Sequence, residues 1–216
     1  MPNYFGTNEV YQGINPSGNK KVKGWNSRSP IFGKLIEYVK PNVIIEVGSW
    51  LGASAIQMAT QCKKLSLKTK IYCVDTWLGA EEFWTTGKDH SARDLKLKNG
   101  YPQVYTEFLS NIVEFGFQDV IVPIPNTSYI GSIIFKYYKI KADLIYIDAS
   151  HEYEDVKSDI KSYLKLLNPN GVIFGDDMTW PSVRKAVNEV LPNEYDLYDN
   201  NFWIYVKPSI TKYTFV

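Results

Sequence analysis

Val43-Ile-Ile-Glu46-Val-Gly48-Ser49-Trp-Leu-Gly52-Ala-Ser54 is the stretch from which the fold of this chain is read. Val43–Val47 is a continuous apolar run broken only by Glu46, the pattern of a strand covered on both faces. Gly48 permits the turn out of that strand. Gly52 permits close backbone approach where residues 53–65 begin a helix. Amides in such a turn point at a ligand carboxylate, aided by the helix dipole. Only two glycines are present, so the loop lacks the G-x-G-x-x-G pattern of dinucleotide binders, which disfavours a nicotinamide oxidoreductase.

Outward from this turn, apolar runs and helical periods alternate. Upstream, Ser29-Pro30 supplies a cap and a first-turn proline, and Ile31, Phe32, Leu35, Ile36 and Val39 keep a helical spacing that Pro41 ends. Downstream, strands are predicted at 70–74, 120–123, 143–147 and 171–175, and helices at 104–115, 129–138, 153–167 and 181–190. Residues 195–198 and 202–206 flank the turn Asp199-Asn-Asn201 and predict an antiparallel hairpin. The fold class is therefore α/β, a mostly parallel sheet covered on both faces with a C-terminal antiparallel hairpin.

Acids stand where strands end. Asp75 closes the second strand, where a carboxylate can accept hydrogen bonds from both hydroxyls of a ribose; an N-cap or loop acid is the plainer alternative. Ser128, after the third strand, is a candidate adenine contact or a helix cap. Asp143-Leu-Ile-Tyr-Ile-Asp148-Ala-Ser-His151 and Gly171-Val-Ile-Phe-Gly-Asp176-Asp177 each run from apolar residues into acid. Neighbouring strands would gather Asp148, Asp176 and Asp177 at one edge of the sheet. Like charges repel there and desolvation adds to the cost, so a hard divalent cation is the expected resolution, with magnesium favoured by oxygen-only ligation. His151 would stand beside it, suited to take a proton near neutrality. Taken singly, a histidine after a strand is as often a capping residue, and paired acids are often a turn; the combination is what points to metal.

From about residue 29 to residue 206 the order of these features resembles the Rossmann-like fold of class I S-adenosylmethionine-dependent methyltransferases, whose first motif, E-x-G-x-x-x-G, is matched by Glu46, Gly48 and Gly52. The segments around Asp148–His151 and Asn168–Asp177 are similar to the divalent-metal-dependent small-molecule O-methyltransferases, including those that modify sugars on macrolide antibiotics. The resemblance implies a seven-stranded sheet. It implies S-adenosylmethionine held by Glu46, Gly48, Ser49, Gly52, Ser54, Asp75 and Ser128. Magnesium would be held by Asp148, Asp176 and Asp177, and His151 would be the general base, where the related catechol enzymes carry lysine. Asn170-Gly171 replaces the frequent Gly-Gly before the fifth strand. The acceptor would be a hydroxyl of a small molecule such as a sugar. Two alternatives are a non-catalytic S-adenosylmethionine-binding protein and a non-haem iron hydroxylase. The latter wants two histidines and a carboxylate, and the chain has only His90 and His151.

Residues 1–28 read as an irregular N-terminal arm and 29–216 as one domain. Within it, residues 76–100 interrupt the alternation and carry Trp77, Trp84, His90 and Arg93 beyond a strand's C-terminal end, where a long segment contacts substrate more often than not. Trp77 and Trp84 are the candidate acceptor contacts. The 216 residues, 44% hydrophobic and 22% charged with net charge +1, suit one soluble domain and give no reason to expect nucleic acid. Cys62 and Cys73 make no disulfide framework, and no signal peptide or membrane span is apparent, so a cytoplasmic location is expected. A homo-oligomer is compatible with the sequence.

Overall fold

The apolar runs become strands because each is buried from both sides. Along β1 (Val43–Val47), Ile44 and Glu46 face one layer of helices while Ile45 and Val47 face the other, all four being fully buried. The computed structural model describes residues 8–85, 94–191 and 194–208. In chain order, a 3-10 turn at Asn8–Tyr11 is followed by α1 (Ile31–Val39), β1, α2 (Ala53–Lys64), β2 (Lys70–Asp75) and α3 (Glu81–Thr85). Then come α4 (Val104–Phe115), β3 (Ile121–Pro125), α5 (Ser128–Tyr137), β4 (Ala142–Ile147) and α6 (Tyr153–Leu164). The chain continues through β5 (Leu167–Gly175), α7 (Pro181–Val190), β6 (Asp196–Tyr198) and β7 (Phe202–Val206).

The strands form one seven-stranded sheet in the order β3-β2-β1-β4-β5-β7-β6, parallel except for β7 and β6, which run antiparallel at one side. One core layer, around Phe32, Phe108 and Tyr146, packs beneath α1, α2 and α4. The other, around Phe135, Ile160, Val187 and Trp203, packs beneath α5, α6 and α7. Register places the site. Val47 pairs with Ile147, and Ile147 with Gly175, so the next residues of the three strands, Gly48, Asp148 and Asp176, emerge at the same edge. That edge lies where the chain order reverses between β1 and β4, the place at which open α/β sheets bind ligands.

Most boundaries agree with the sequence reading to within one residue, and three differ by more. The helix expected over 153–167 stops at Leu164, and β5 begins at Leu167 rather than at Gly171. Leu166 and Leu167 are buried by the strand turn, where Leu167 pairs with Ala142, and so mimic a continuing helical period. The third strand is shifted to Ile121–Pro125. The arm is not merely irregular: Tyr11 is buried and donates from its hydroxyl to the Ile121 carbonyl at 2.9 Å, while Gly18 and Lys20 both bond the Glu114 carboxylate. His90 and Arg93 lie outside the described residues. Among the described residues, no helix is long and apolar enough to cross a membrane.

Candidate active site

Asp148, Asp176 and Asp177 converge as the strand register requires, with one carboxylate oxygen from each lying within 4.8 Å of the others. Asp176 is buried, and its Oδ1 has no hydrogen-bond partner; its Oδ2 accepts from Asn26 Nδ2 at 3.4 Å. Asp148 is held by the buried Tyr146, whose hydroxyl donates to Oδ2 at 2.9 Å. Burial first, and then the neighbouring acids Asp176 and Asp177, push the Asp148 carboxyl well above the carboxylate range. Burial and the Asp177 charge push Asp176 up to about 7. An all-oxygen donor set with an orphaned buried oxygen and raised acids fits a hard divalent cation, which would favour the ionised forms. The His151 ring stands at the rim. Its Nε2 lies 3.0 Å from Asp177 Oδ2, and its face stacks on Trp180 with centroids 4.6 Å apart and planes 9° from parallel.

The glycine turn abuts this cluster directly. Gly48 has φ +87°, and a Cβ there would lie 1.9 Å from the Asp148 carbonyl oxygen, so only glycine lets the two strand ends close. The loop amides differ from expectation. Those of Ser49 and Trp50 point at the chain's own Asp75, donating to Oδ2 at 2.9 and 2.8 Å, while Trp77 N–H donates to Oδ1 at 2.7 Å. The Thr76 amide bonds Asp75 as well, so the chain's own backbone takes up most of the about four lone-pair sites of this carboxylate, and burial raises its pKa. Glu46 is buried. It accepts from Ser49 Oγ at 2.5 Å and from Cys73 Sγ at 3.3 Å, and Ser54 bonds it as well; its Oε1 has no partner. Burial raises its pKa against the pull of those donors. Ser128 is not the helix cap: Thr127 Oγ1 accepts from Ile130 N–H, and the Ser128 side chain bonds Asp159 of α6.

The insert is corrected at one position. Trp77 does not line an acceptor site: it is 1% exposed, packs on Tyr105 and Phe108, and donates from Nε1 to the Trp50 carbonyl. Trp84 is exposed, with its Nε1 on the Leu78 carbonyl, and neighbours Phe83 in α3, which stacks on Trp50. The aromatic surface at this edge comes instead from the arm, where the exposed Trp25 stacks on Trp50 at 4.6 Å and Lys23 lies over both rings. Four residues of the site went unread in the sequence. Tyr146 carried a signal, since it sits two residues before Asp148 on the same side of a strand. Asn26, Trp25 and Trp180 carried none, lying in or beside irregular backbone.

Comparison with known proteins agrees with the fold. A family model described as a methyltransferase domain matches residues 45–178. The uncharacterized protein y4gI of Sinorhizobium fredii is 26% identical over 153 residues, 71% of this chain but 15% of its own length. An uncharacterized protein of Acanthamoeba polyphaga mimivirus is 24% identical over 151 residues, 68% of this chain and 58% of its own length. The chain thus spans less than two thirds of the length of either relative. Among solved structures, an O-methyltransferase from Bacillus cereus in complex with SAH aligns with a TM-score of 0.59 and 14% identity, over 86% of this chain and 83% of that one. CalS11, a TDP-rhamnose 3'-O-methyltransferase of calicheamicin biosynthesis, aligns at 0.55 and 18% identity, over 80% and 77%. At these identities the likeness is one of fold.

Proposed function

This chain belongs to the methyltransferase domain family, and on that premise we propose that it moves a methyl group from S-adenosylmethionine to a hydroxyl oxygen of a small molecule, a sugar hydroxyl being the favoured acceptor. In this reading Asp148, Asp176 and Asp177 hold a magnesium ion and His151 is the base. The observation that carries the proposal is the direct packing of the Gly48 turn against the Asp148 backbone, which joins the nucleoside-side loop to the carboxylate cluster. CalS11, which shares the fold, is a sugar O-methyltransferase by its own description, and this supports the acceptor class.

When bound, the cofactor supplies an electrophilic methyl group and the cation supplies charge that eases deprotonation of an alcohol. The chain's residues do the rest. Asp75 would accept from a ribose hydroxyl in exchange for one of its backbone donors. Glu46 Oε1, buried and unpartnered, is an acceptor for a donor group of the cofactor. His151 takes the acceptor's proton, with Asp177 and Trp180 fixing the plane of its ring. Alignment within the site contributes through proximity.

The test combines calorimetry with a labelled-donor assay over a panel of hydroxyl compounds. S-adenosylmethionine binds, Asp75→Ala weakens it, and methyl transfer is lost on adding a chelator and restored by magnesium. His151→Ala lowers turnover on the order of 10²–10⁴-fold with cofactor affinity retained. No cofactor binding by the intact chain refutes the proposal. Equal loss of turnover and cofactor affinity in His151→Ala refutes the role given to the histidine.

A further inference from the structure

Two consecutive residues of the arm touch the two halves of the site. Trp25 lies on the glycine turn, its ring stacked on that of Trp50 with centroids 4.6 Å apart. Asn26, the next residue, donates from Nδ2 to Asp176 Oδ2 in the carboxylate cluster at 3.4 Å. The segment that carries them is closely seated. A Cβ at Gly24 would come within 2.5 Å of the Cβ of Ala53, the first residue of α2, so the arm runs against the start of the helix that follows the turn. Ser27 is buried and donates from Oγ to the Gly24 carbonyl at 3.2 Å, closing residues 24–27 into a short loop. Asn26 has φ +48°, a left-handed backbone that asparagine tolerates better than most residues.

Core packing does not account for either contact, since Trp25 and Asn26 are both exposed. What they hold is costly to keep in place. Trp50 has φ +41°, a backbone that a bulky residue keeps only where its surroundings enforce it. Trp25 and Phe83 of α3 gather around its ring, and Lys23 lies 5.6 and 5.4 Å from the centroids of Trp25 and Trp50 while pairing with Asp94 of the insert. On the other side, Asn26 gives a donor to Asp176, a buried acid whose Oδ1 has no partner among the described residues. One short segment thus grips the strained turn and the buried acid together.

We propose that Trp25 and Asn26 are positioning residues that couple the turn to the acids, so that filling either site tightens binding at the other. A ligand on the turn fixes Trp50, Trp25 follows by stacking, and Asn26 is then set to hold Asp176 where an ion needs it. The reverse path has the same strength, because binding linkage is reciprocal. The inference rests on the methyl-transfer reading above for what the two sites bind, and adds the arm as the element that joins them. The experiment is calorimetry on the full chain: S-adenosylhomocysteine is titrated with and without manganese, and manganese with and without S-adenosylhomocysteine. Each titration is repeated on Trp25→Ala, Trp25→Phe and Asn26→Gly; glycine at 26 removes the amide and keeps the left-handed backbone. In the natural chain each ligand should tighten the other by one common factor of at least about 5-fold. Trp25→Ala and Asn26→Gly should bring that factor close to one, and Trp25→Phe, which keeps an aromatic face, should preserve it. Exciton-coupled circular dichroism from the Trp25–Trp50 stack gives a second readout: it should rise when manganese is added to the natural chain and stay flat in Asn26→Gly. Coupling that survives Trp25→Ala or Asn26→Gly, a dichroism signal indifferent to manganese, or independent binding of the two ligands to the natural chain overturns the inference and leaves the methyl-transfer reading standing. A natural chain that binds no S-adenosylhomocysteine removes that reading, and the inference with it.

Discussion

Gly48 illustrates how much of the site rests on single residues. Its φ of +87° and the carbonyl of Asp148 beneath it leave no space for a methyl group on Cα. Gly48→Ala is expected to lower stability by more than about 2 kcal/mol, since a left-handed backbone alone costs about 1–2 kcal/mol for an L-residue and the clash with fixed backbone adds to it. Urea unfolding measures the loss, and an unchanged midpoint would contradict the close packing described. The acids make the complementary point. Asp148 is driven toward its neutral form by burial and by Asp176 and Asp177, and Asp176 by burial and by Asp177, while Asp176 Oδ1 has no partner among the described residues. Stability alone gives no reason to gather carboxylates this way, because uncompensated buried acids are costly. In the proposed function, the cation would supply the compensation.

At the scale of elements, the contact between α5 and α6 shows a different use of a buried acid. Asp159 is 4% exposed and bonds Ser128; burial pushes its carboxyl up to about 6. Between its unfolded pKa near 3.9 and that value, the folded chain holds a proton that the unfolded chain has lost. Its contribution to stability is therefore complete below about pH 4 and is lost as the pH rises through about 6. That amounts to about 2–3 kcal/mol for a shift of this size. Asp159→Asn, which stays neutral, should be more stable than the natural protein at pH 8 and no more stable at pH 4, as read from denaturant midpoints. A difference that does not vary with pH would show that Asp159 ionises freely in the folded state. The misplaced boundary after Leu164 has its cause in β5. Leu166 and Leu167 belong to the buried entry of β5, and apolar periodicity does not tell helix burial from strand burial over so few residues.

Over the whole molecule, what could be read in advance was local. Strands announced themselves as apolar runs, and the acids at their ends needed only the parallel register to meet. Asp75, Asp148, Asp176, Asp177 and the Gly48 turn were therefore legible as candidates from the sequence. What escaped depended on long-range packing without a period. The arm carries no repeat, yet it ties β3, through Tyr11, and α4, through Lys20, to the carboxylate edge, where Trp25 stacks on Trp50 and Asn26 bonds Asp176. The burial of Trp77 escaped for the same reason: nothing in the spacing of a tryptophan in irregular backbone says whether its ring faces the core or the surface. Sequence separation of Asn26 from Asp176, 150 positions, places their contact beyond any local pattern.

At the centre of the proposed mechanism is one ion held by three carboxylates. Manganese serves as a paramagnetic stand-in for magnesium, and its electron paramagnetic resonance signal reports the free ion directly. Titrating the full chain with manganese at pH 8, in the presence of S-adenosylhomocysteine, should reveal one bound ion per chain, with binding abolished in Asp176→Asn and competed by magnesium. Failure of the natural chain to bind the ion, or binding that Asp176→Asn leaves intact, would contradict the account.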